Sequence, residues 1–351
     1  MDRFLFSLFG ITVGILFTVG TLQAAPKTTT IDGRGYMAAE DIAAAYGMKA
    51  QSKRKSSKEI GFAGNGRSLI VKVDSHQTII DGVRHWFSFP ARRDARGTAY
   101  LSFQDVESTI KPTYDPRAAG KVGPVKTVVF DPGHGGHDHG GTSPYGKEKD
   151  YALDVVGRAR KILESRGVKV VQSRLGDTFI NLSERPAMTK NYKDPIFVSV
   201  HFNSASWRPG ASGFEIFALP PKGAPSTGGK PQPLKDSATS YGTPNEPASF
   251  VLANTIYNTM IGKMPVFDRG VKRSRFSVLR NARVPAVLIE GGFMTNPEES
   301  KRIHSPEWRQ KYATAIADGI MAYMAYANKG TMPPRSVSLG RDPTDEFVPE
   351  D

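Results

Sequence analysis

Beyond residue 124 of this 351-residue chain, three short apolar runs each lead into a side chain that can bind a metal or move a proton. The run at 125–130 leads into Asp131-Pro132-Gly133-His134-Gly135-Gly136, the run at 196–200 into His201-Phe202-Asn203, and the run at 286–289 into Glu290-Gly291-Gly292-Phe293. Apolar runs this short, bounded by glycine and polar residues, read as buried strands. Further strands are expected at 168–172 and 214–219. Helical patterns lie between them, at 151–166, 182–191, 248–261 and 306–327. Strands alternating with helices predict an α/β unit: a mostly parallel sheet with helices on both faces. Ligands of such sheets collect at the carboxyl ends of the strands. His134, His201 and Glu290 therefore share one edge of the sheet.

Glu148, in Lys147-Glu148-Lys149-Asp150, is the fourth residue of interest. It precedes the 151–166 helix and is joined to His134 by a glycine-rich loop, where glycine lets backbone pass close to a bound ion. The chain has no cysteine, which excludes disulfides, thiolate ligands and a cysteine nucleophile. A metal must then be held by histidine and carboxylate. His134, Glu148 and His201 suit Zn²⁺, with a fourth position left for water, the arrangement of a catalytic site. A carboxylate outside the metal shell must take the water proton and pass it on. Glu290 fits, because it ends an apolar strand where desolvation raises a carboxyl pKa. Taken singly, each residue has an ordinary structural reading, and His137 and His139 inside the loop compete as ligands.

Length predicts about two domains of roughly 150 residues each. The first, residues 27–115, reads as a small α+β accessory domain. It has a short helix at 36–47, strands at 68–73, 77–82 and 84–89, and a strand at 100–106 leading into another helix. His76 and His85 there read as surface or partly packed histidines. Residues 116–124 form a Pro- and Gly-rich linker, 125–328 the catalytic domain and 329–351 a polar disordered tail. Residues 220–247 lack periodicity and form a long loop that could lie over the mouth of the site. A net charge of +13 favours an anionic partner. The basic cluster Lys53-Arg54-Lys55 with Lys58 reads as a solvated loop, or as a patch for an anionic polymer. No zinc finger, basic heptad helix or aromatic RNA-binding signature is present, so no nucleic acid partner is expected. No obligate protein partner is indicated. Arg3, the apolar run 4–22 and Ala24-Ala25 fit a secretory signal within residues 1–25. The run is also about long enough to remain as a membrane anchor. Either way the rest of the chain is expected outside the cytoplasm, in the periplasm, the cell envelope or the medium.

These blocks, together with the Arg185 region, Gly270-Val271-Lys272, Phe276-Ser277-Val278-Leu279-Arg280 and Glu290-Gly291-Gly292-Phe293-Met294-Thr295-Asn296-Pro297-Glu298, closely resemble the zinc-dependent N-acetylmuramoyl-L-alanine amidases of bacterial cell-wall turnover. The likeness covers about residues 125–325. It implies that His134, Glu148 and His201 bind zinc and that Glu290 is the catalytic carboxylate. It implies peptidoglycan as substrate, cut between the lactyl group of N-acetylmuramic acid and L-alanine of the stem peptide. A non-catalytic wall-binding protein on the same fold, or a zinc peptidase of the stem, are the rival readings. Some division-linked relatives carry an inhibitory helix after the His201 strand, but residues 220–247 here read as non-helical. Residues 33–112 resemble, in pattern only, the small N-terminal domain of copper amine oxidases.

Overall fold

A computed structural model describes residues 25–51, 58–227, 242–333 and 335. The signal or anchor segment up to Ala24, the Lys53-Arg54-Lys55 cluster, the middle of the 220–247 loop and the tail beyond Arg335 lie outside the described residues. No helix among the described residues is long and apolar enough to cross a membrane.

The N-terminal region contributes β1 (Thr28–Ile31), β2 (Arg34–Ala38), α1 (Ala39–Ala45), β3 (Lys49–Ala50), β4 (Glu59–Gly64), β5 (Arg67–Lys72), β6 (Gln77–Ile80), β7 (Val83–Trp86), β8 (Arg92–Arg93) and β9 (Ala99–Ser102). The helix expected at 36–47 is thus a strand up to Ala38, followed by a shorter helix. Then come β10 (Thr127–Pro132), β11 (Thr142–Ser143), β12 (Gly146–Lys147), α2 (Glu148–Ser165), β13 (Lys169–Gln172), β14 (Pro195–Asn203), β15 (Phe214–Ala218), α3 (Glu246–Ile261), β16 (Asp268–Arg273), β17 (Ala286–Phe293), α4 (Pro297–His304) and α5 (Pro306–Lys329). The stretch expected as a helix at 182–191 is a short α-turn, Glu184–Ala187, continued by a 3₁₀ turn, Met188–Asn191. Ser305 caps α5 through its hydroxyl, Pro306 opens it, and Gly330 ends it in the left-handed conformation.

Eleven of the described strands form one sheet, ordered β13-β10-β14-β17-β15-β16-β7-β6-β5-β4-β3. The neighbours β13, β10, β14 and β17 are parallel, but β15 is antiparallel to β17 and β3 to β7 form an antiparallel meander. The mostly parallel sheet expected from the sequence is therefore corrected to a mixed one. The reason lies in residues 204–213, which carry no helix between β14 and β15. A parallel return needs a crossover of a dozen or more residues, usually helical; a shorter link turns the strand back.

The strands are buried on both faces. Val128, Phe130, Ile196, Val198, Val200, Val287 and Ile289 pack with α2, α3 and α5, including Val155, Ile256, Tyr312, Ile316 and Ile320. Val129, Phe197, Phe217 and Leu288 point the other way, onto Val278, Leu279 and Ala282 around the short helix Ser277–Asn281. All three long helices thus cover one face, and of the helices expected on both faces the other holds only short ones such as Ser277–Asn281.

The sheet does not stop at the boundary expected between the two units. Val271 of β16 pairs with His85 of β7, and the Arg84 amide donates to Asp268 Oδ2 at 2.7 Å. His85 is fully buried, with Nε2 3.0 Å from Asn254 Oδ1 and Nδ1 3.0 Å from Val83 O. It is therefore a joint residue rather than a surface or partly packed one. Burial pushes its pKa below the ordinary histidine value, against weaker opposing pulls from Asn254 and Val83. The unfolded chain then binds a proton before the folded one does, so His85 costs stability as pH falls below about 6.5. The unfolding free energy from urea melts should drop between pH 7.5 and pH 5.5, by at most about 1.4 kcal/mol per pH unit from this residue. A His85→Gln variant should show a shallower drop over the same range.

Candidate active site

The loop after β10 is built from behind. Asp131, fully buried, accepts from the Ser173 hydroxyl at 2.6 Å, the Ser199 hydroxyl at 2.8 Å and Arg185 Nη1 at 3.0 Å. Arg185 also donates to Pro132 O at 3.1 Å and His134 O at 2.9 Å. Arg174 donates to Pro132 O at 3.0 Å and to Gly133 O and Lys149 O at 2.7 Å each. Two buried guanidiniums thus fasten three successive carbonyls of the loop. Lys149 does the same further on, reaching Gly136 O at 2.8 Å and Asp177 at 2.6 Å.

This fastening presents His134 in an uncommon way. Its φ is +58°, a left-handed conformation in which histidine is among the enriched non-glycine residues. Gly133 before it cannot carry a side chain, since a Cβ there would sit 2.2 Å from the His201 ring. His134 Nδ1 donates to Asp138 Oδ2 at 2.8 Å, which leaves Nε2 free to ligate. Nε2 lies 3.0 Å from Glu148 Oε1.

Glu148 is the first residue of α2, where the helix dipole favours an anion. Its Oε1 is 2.9 Å from His201 Nδ1 and accepts the Phe202 amide at 3.0 Å, while Oε2 accepts the Gly141 amide at 2.7 Å. Burial alone would raise this carboxyl, but hydrogen bonds and charge from His134 and His201 outweigh it and take the pKa down to about 2. Ligand atoms of His134, Glu148 and His201 all lie within 4.8 Å of one another. Two imidazole nitrogens and an ionised carboxylate in that space are a donor set for a divalent transition-metal ion. Gly140 clears the wall of this cradle, since a Cβ there would come within 2.5 Å of both Glu148 and His134.

Glu290 stands beside this trio but outside it. It lies opposite His201 in the β14–β17 ladder, and its enclosed Oε2 has no hydrogen-bond partner among the described residues. Burial, followed by the negative charges of Glu148 and Glu215, raises its pKa well above the ordinary carboxylate range. His201 and Glu290 sit inside their strands, which run on to Asn203 and Phe293, rather than just beyond them.

His137 and His139 do not join the cluster. The His137 ring packs 4.2 Å from that of Phe179, and His139 Nε2 lies 3.4 Å from Lys147 Nζ. The long loop does not start at the site mouth either. β15 runs against β17, so Ala218 pairs with Val287, at the end of the strand away from Glu290, and the chain leaves from there. Residues missed in the sequence are Asp138, Arg174 and Lys149. Asp138 follows His134 by one turn-like step and carried a signal that a search for imidazole partners could have used. Arg174 carried none. A cleft of about 400 Å³ is lined by Thr142, Tyr145, Ser206, Met294, Thr295 and Pro297 among others, and by none of the trio. Gly141 joins the two, bonding Glu148 through its amide while its Cα faces Met294 and Ser204.

Residues 128–322 match the Amidase_3 family model, described as N-acetylmuramoyl-L-alanine amidase. The chain belongs to this family. Among curated relatives, N-acetylmuramoyl-L-alanine amidase AmiA of Escherichia coli is 33% identical over 227 residues, which is 58% of this chain and 78% of the relative. Among solved structures, N-acetylmuramoyl-L-alanine amidase AmiC2 of Nostoc punctiforme is 33% identical, covering 57% of this chain and 99% of that one with a TM-score of 0.48. An N-acetylmuramoyl-L-alanine amidase from Clostridium difficile 630 is 31% identical, covering 59% and 99% with a TM-score of 0.49. The family model spans the donor set of His134, Glu148 and His201, and Glu290 beside it.

The geometry sets an expectation for metal affinity. Asp138→Ala should leave the fold intact and weaken divalent-metal binding by about 10–100-fold, because nothing then fixes the His134 tautomer. Gly133→Ala should weaken it further by displacing the His201 ring. Competition against a chromophoric chelator measures both.

Proposed function

We propose that this chain is an exported zinc amidase that hydrolyses the amide between the lactyl group of N-acetylmuramic acid and L-alanine of the peptidoglycan stem. One observation carries the reading: an ionised Glu148 drawn between His134 and His201, with the unpartnered Oε2 of Glu290 enclosed beside them. The donor set fits zinc, since two imidazoles and one carboxylate match the three-ligand sets of catalytic zinc sites. When bound, zinc supplies a Lewis acid that makes water nucleophilic near neutral pH and polarises a carbonyl.

The residues of the chain do the rest. Asp138 holds His134 in the ligating tautomer. Glu290 accepts the proton of the attacking water and delivers it to the leaving amine, a role typically worth ~10²–10⁴-fold. Burial favours the protonated carboxyl, which suits delivery of the proton to the leaving amine. The cleft on the far side of Gly141, with its hydroxyl and apolar lining, receives a part of the substrate away from the reacting bond.

In the same reading, residues 1–25 export or anchor the chain and 27–115 form an accessory domain of the copper amine oxidase N-terminal type. Residues 116–124 connect it to the catalytic domain at 125–328, and 329–351 form a tail. The net charge of +13 supports an anionic wall polymer as the partner.

Purified sacculi treated with the enzyme should release peptides with a free L-alanine amine. A chelator should stop release and added zinc restore it. Glu290→Gln should lose at least about a hundredfold in turnover while binding zinc normally. Products cut within the stem would instead indicate a peptidase. Binding to sacculi at full zinc occupancy without any hydrolysis would indicate a wall-binding protein.

A further inference from the structure

One row of the sheet runs from the metal donors to the N-terminal region. His201 on β14 is opposite Glu290 on β17, Glu290 is opposite Glu215 on β15, and Glu215 is opposite Gly270 on β16. Residues directly opposite in a ladder share a face, with Cβ atoms about 4.5–5.5 Å apart. Glu290 thus has a metal ligand on one side and a second carboxylate on the other.

Glu215 is buried and held from three sides. Lys272 Nζ lies 2.7 Å from its Oε2, Arg269 Nε donates to that oxygen at 3.1 Å, and Asn203 Nδ2 donates to Oε1 at 2.8 Å. Asn203 sits two positions beyond His201 on the same strand. The strand that carries the two cations is in turn held by the N-terminal region. The Trp86 ring lies 4.6 Å from Lys272 Nζ, and the Trp86 indole donates to Arg269 O at 2.8 Å. Gly270 between them has φ +99°, and a Cβ there would come within 2.8 Å of Arg84 O, so the two strands meet closely.

We propose that Glu215 and Lys272 are positioning residues for Glu290, and that Trp86 of the N-terminal region completes their setting. The inference rests on the proton-transfer role given above to Glu290. Glu290 Oε2 has no bond of its own among the described residues to fix it. Its orientation is then set by the side chains on either side of it in the row. Glu215, pinned by three donors, forms a rigid wall on one side of Glu290, opposite the side occupied by His201. If Glu215 loses a cation it is a buried charge short of a partner, free to turn towards its neighbour. The Gly270-Val271-Lys272 block thereby gains a part in the chemistry without touching substrate, and so does a tryptophan from outside the family-matched residues.

The test uses the full chain loaded with zinc and a soluble muropeptide. It compares Lys272→Met, Trp86→Leu, the double variant Glu215→Gln/Lys272→Met and Glu290→Gln. Turnover, KM, zinc content and melting temperature are measured for each. Lys272→Met should lower kcat on the order of 10–100-fold with KM and zinc content unchanged, as a misplaced catalytic group does. Trp86→Leu should lower kcat by a smaller factor in the same manner. The double variant removes both charges of the Lys272 pair but leaves buried Arg269 facing an amide instead of a carboxylate, so it should melt below wild type, and its kcat, measured well below that melting temperature with zinc content unchanged, should stay low. A kcat within about twofold of wild type in both Lys272→Met and the double variant, with Glu290→Gln inactive, would overturn the positioning role alone. An active Glu290→Gln enzyme would overturn the functional reading itself, and the positioning role with it.

Discussion

The carboxylate of Glu148 is the knot of this structure. It receives two backbone amides, Phe202 on one oxygen and Gly141 on the other, and both imidazoles lean on Oε1. Four segments meet there: the loop after β10, the β11–β12 hairpin, the start of α2 and the end of β14. A buried carboxylate without such partners would be expensive to ionise. With them it is charged, and an ionised carboxylate between two imidazoles is what a cation needs.

Around that knot, rigidity comes from buried arginines rather than from packing alone. Arg174 and Arg185 give half of their hydrogen bonds to carbonyls of residues 132–134, and Asp131 balances part of their charge. Charge-assisted bonds of this kind are shorter and stronger than neutral ones. They hold His134 in a conformation that a free loop would seldom adopt. The cost of a left-handed residue is thus met by groups well removed from the reacting atoms.

Much of this was legible in the sequence because strands that are buried on both faces read as apolar runs, and their ends can be counted. His134, His201 and Glu290 were placed at one sheet edge from that pattern, and Glu148 from its position between glycines and a helix. The direction of β15 was not legible in the same way. It depends on what residues 204–213 fail to form, and apolar runs do not say which way they point. The joint at His85 was missed for a related reason, since a polar residue between Arg84 and Trp86 looks like a surface strand until another sheet edge covers it. Arg174 was invisible because its partners are carbonyls, which leave no trace in side-chain identity.

The sheet that passes from β16 to β7 has a mechanical consequence. Composition at 116–124 suggested a tether between two independent bodies, but strand pairing bypasses it. If residues 27–115 grip the wall, the cleft is carried at a fixed bearing from the point of attachment, like a blade set in its handle. Cuts would then fall at a constant offset along the polymer, instead of being scattered over the reach of a slack linker.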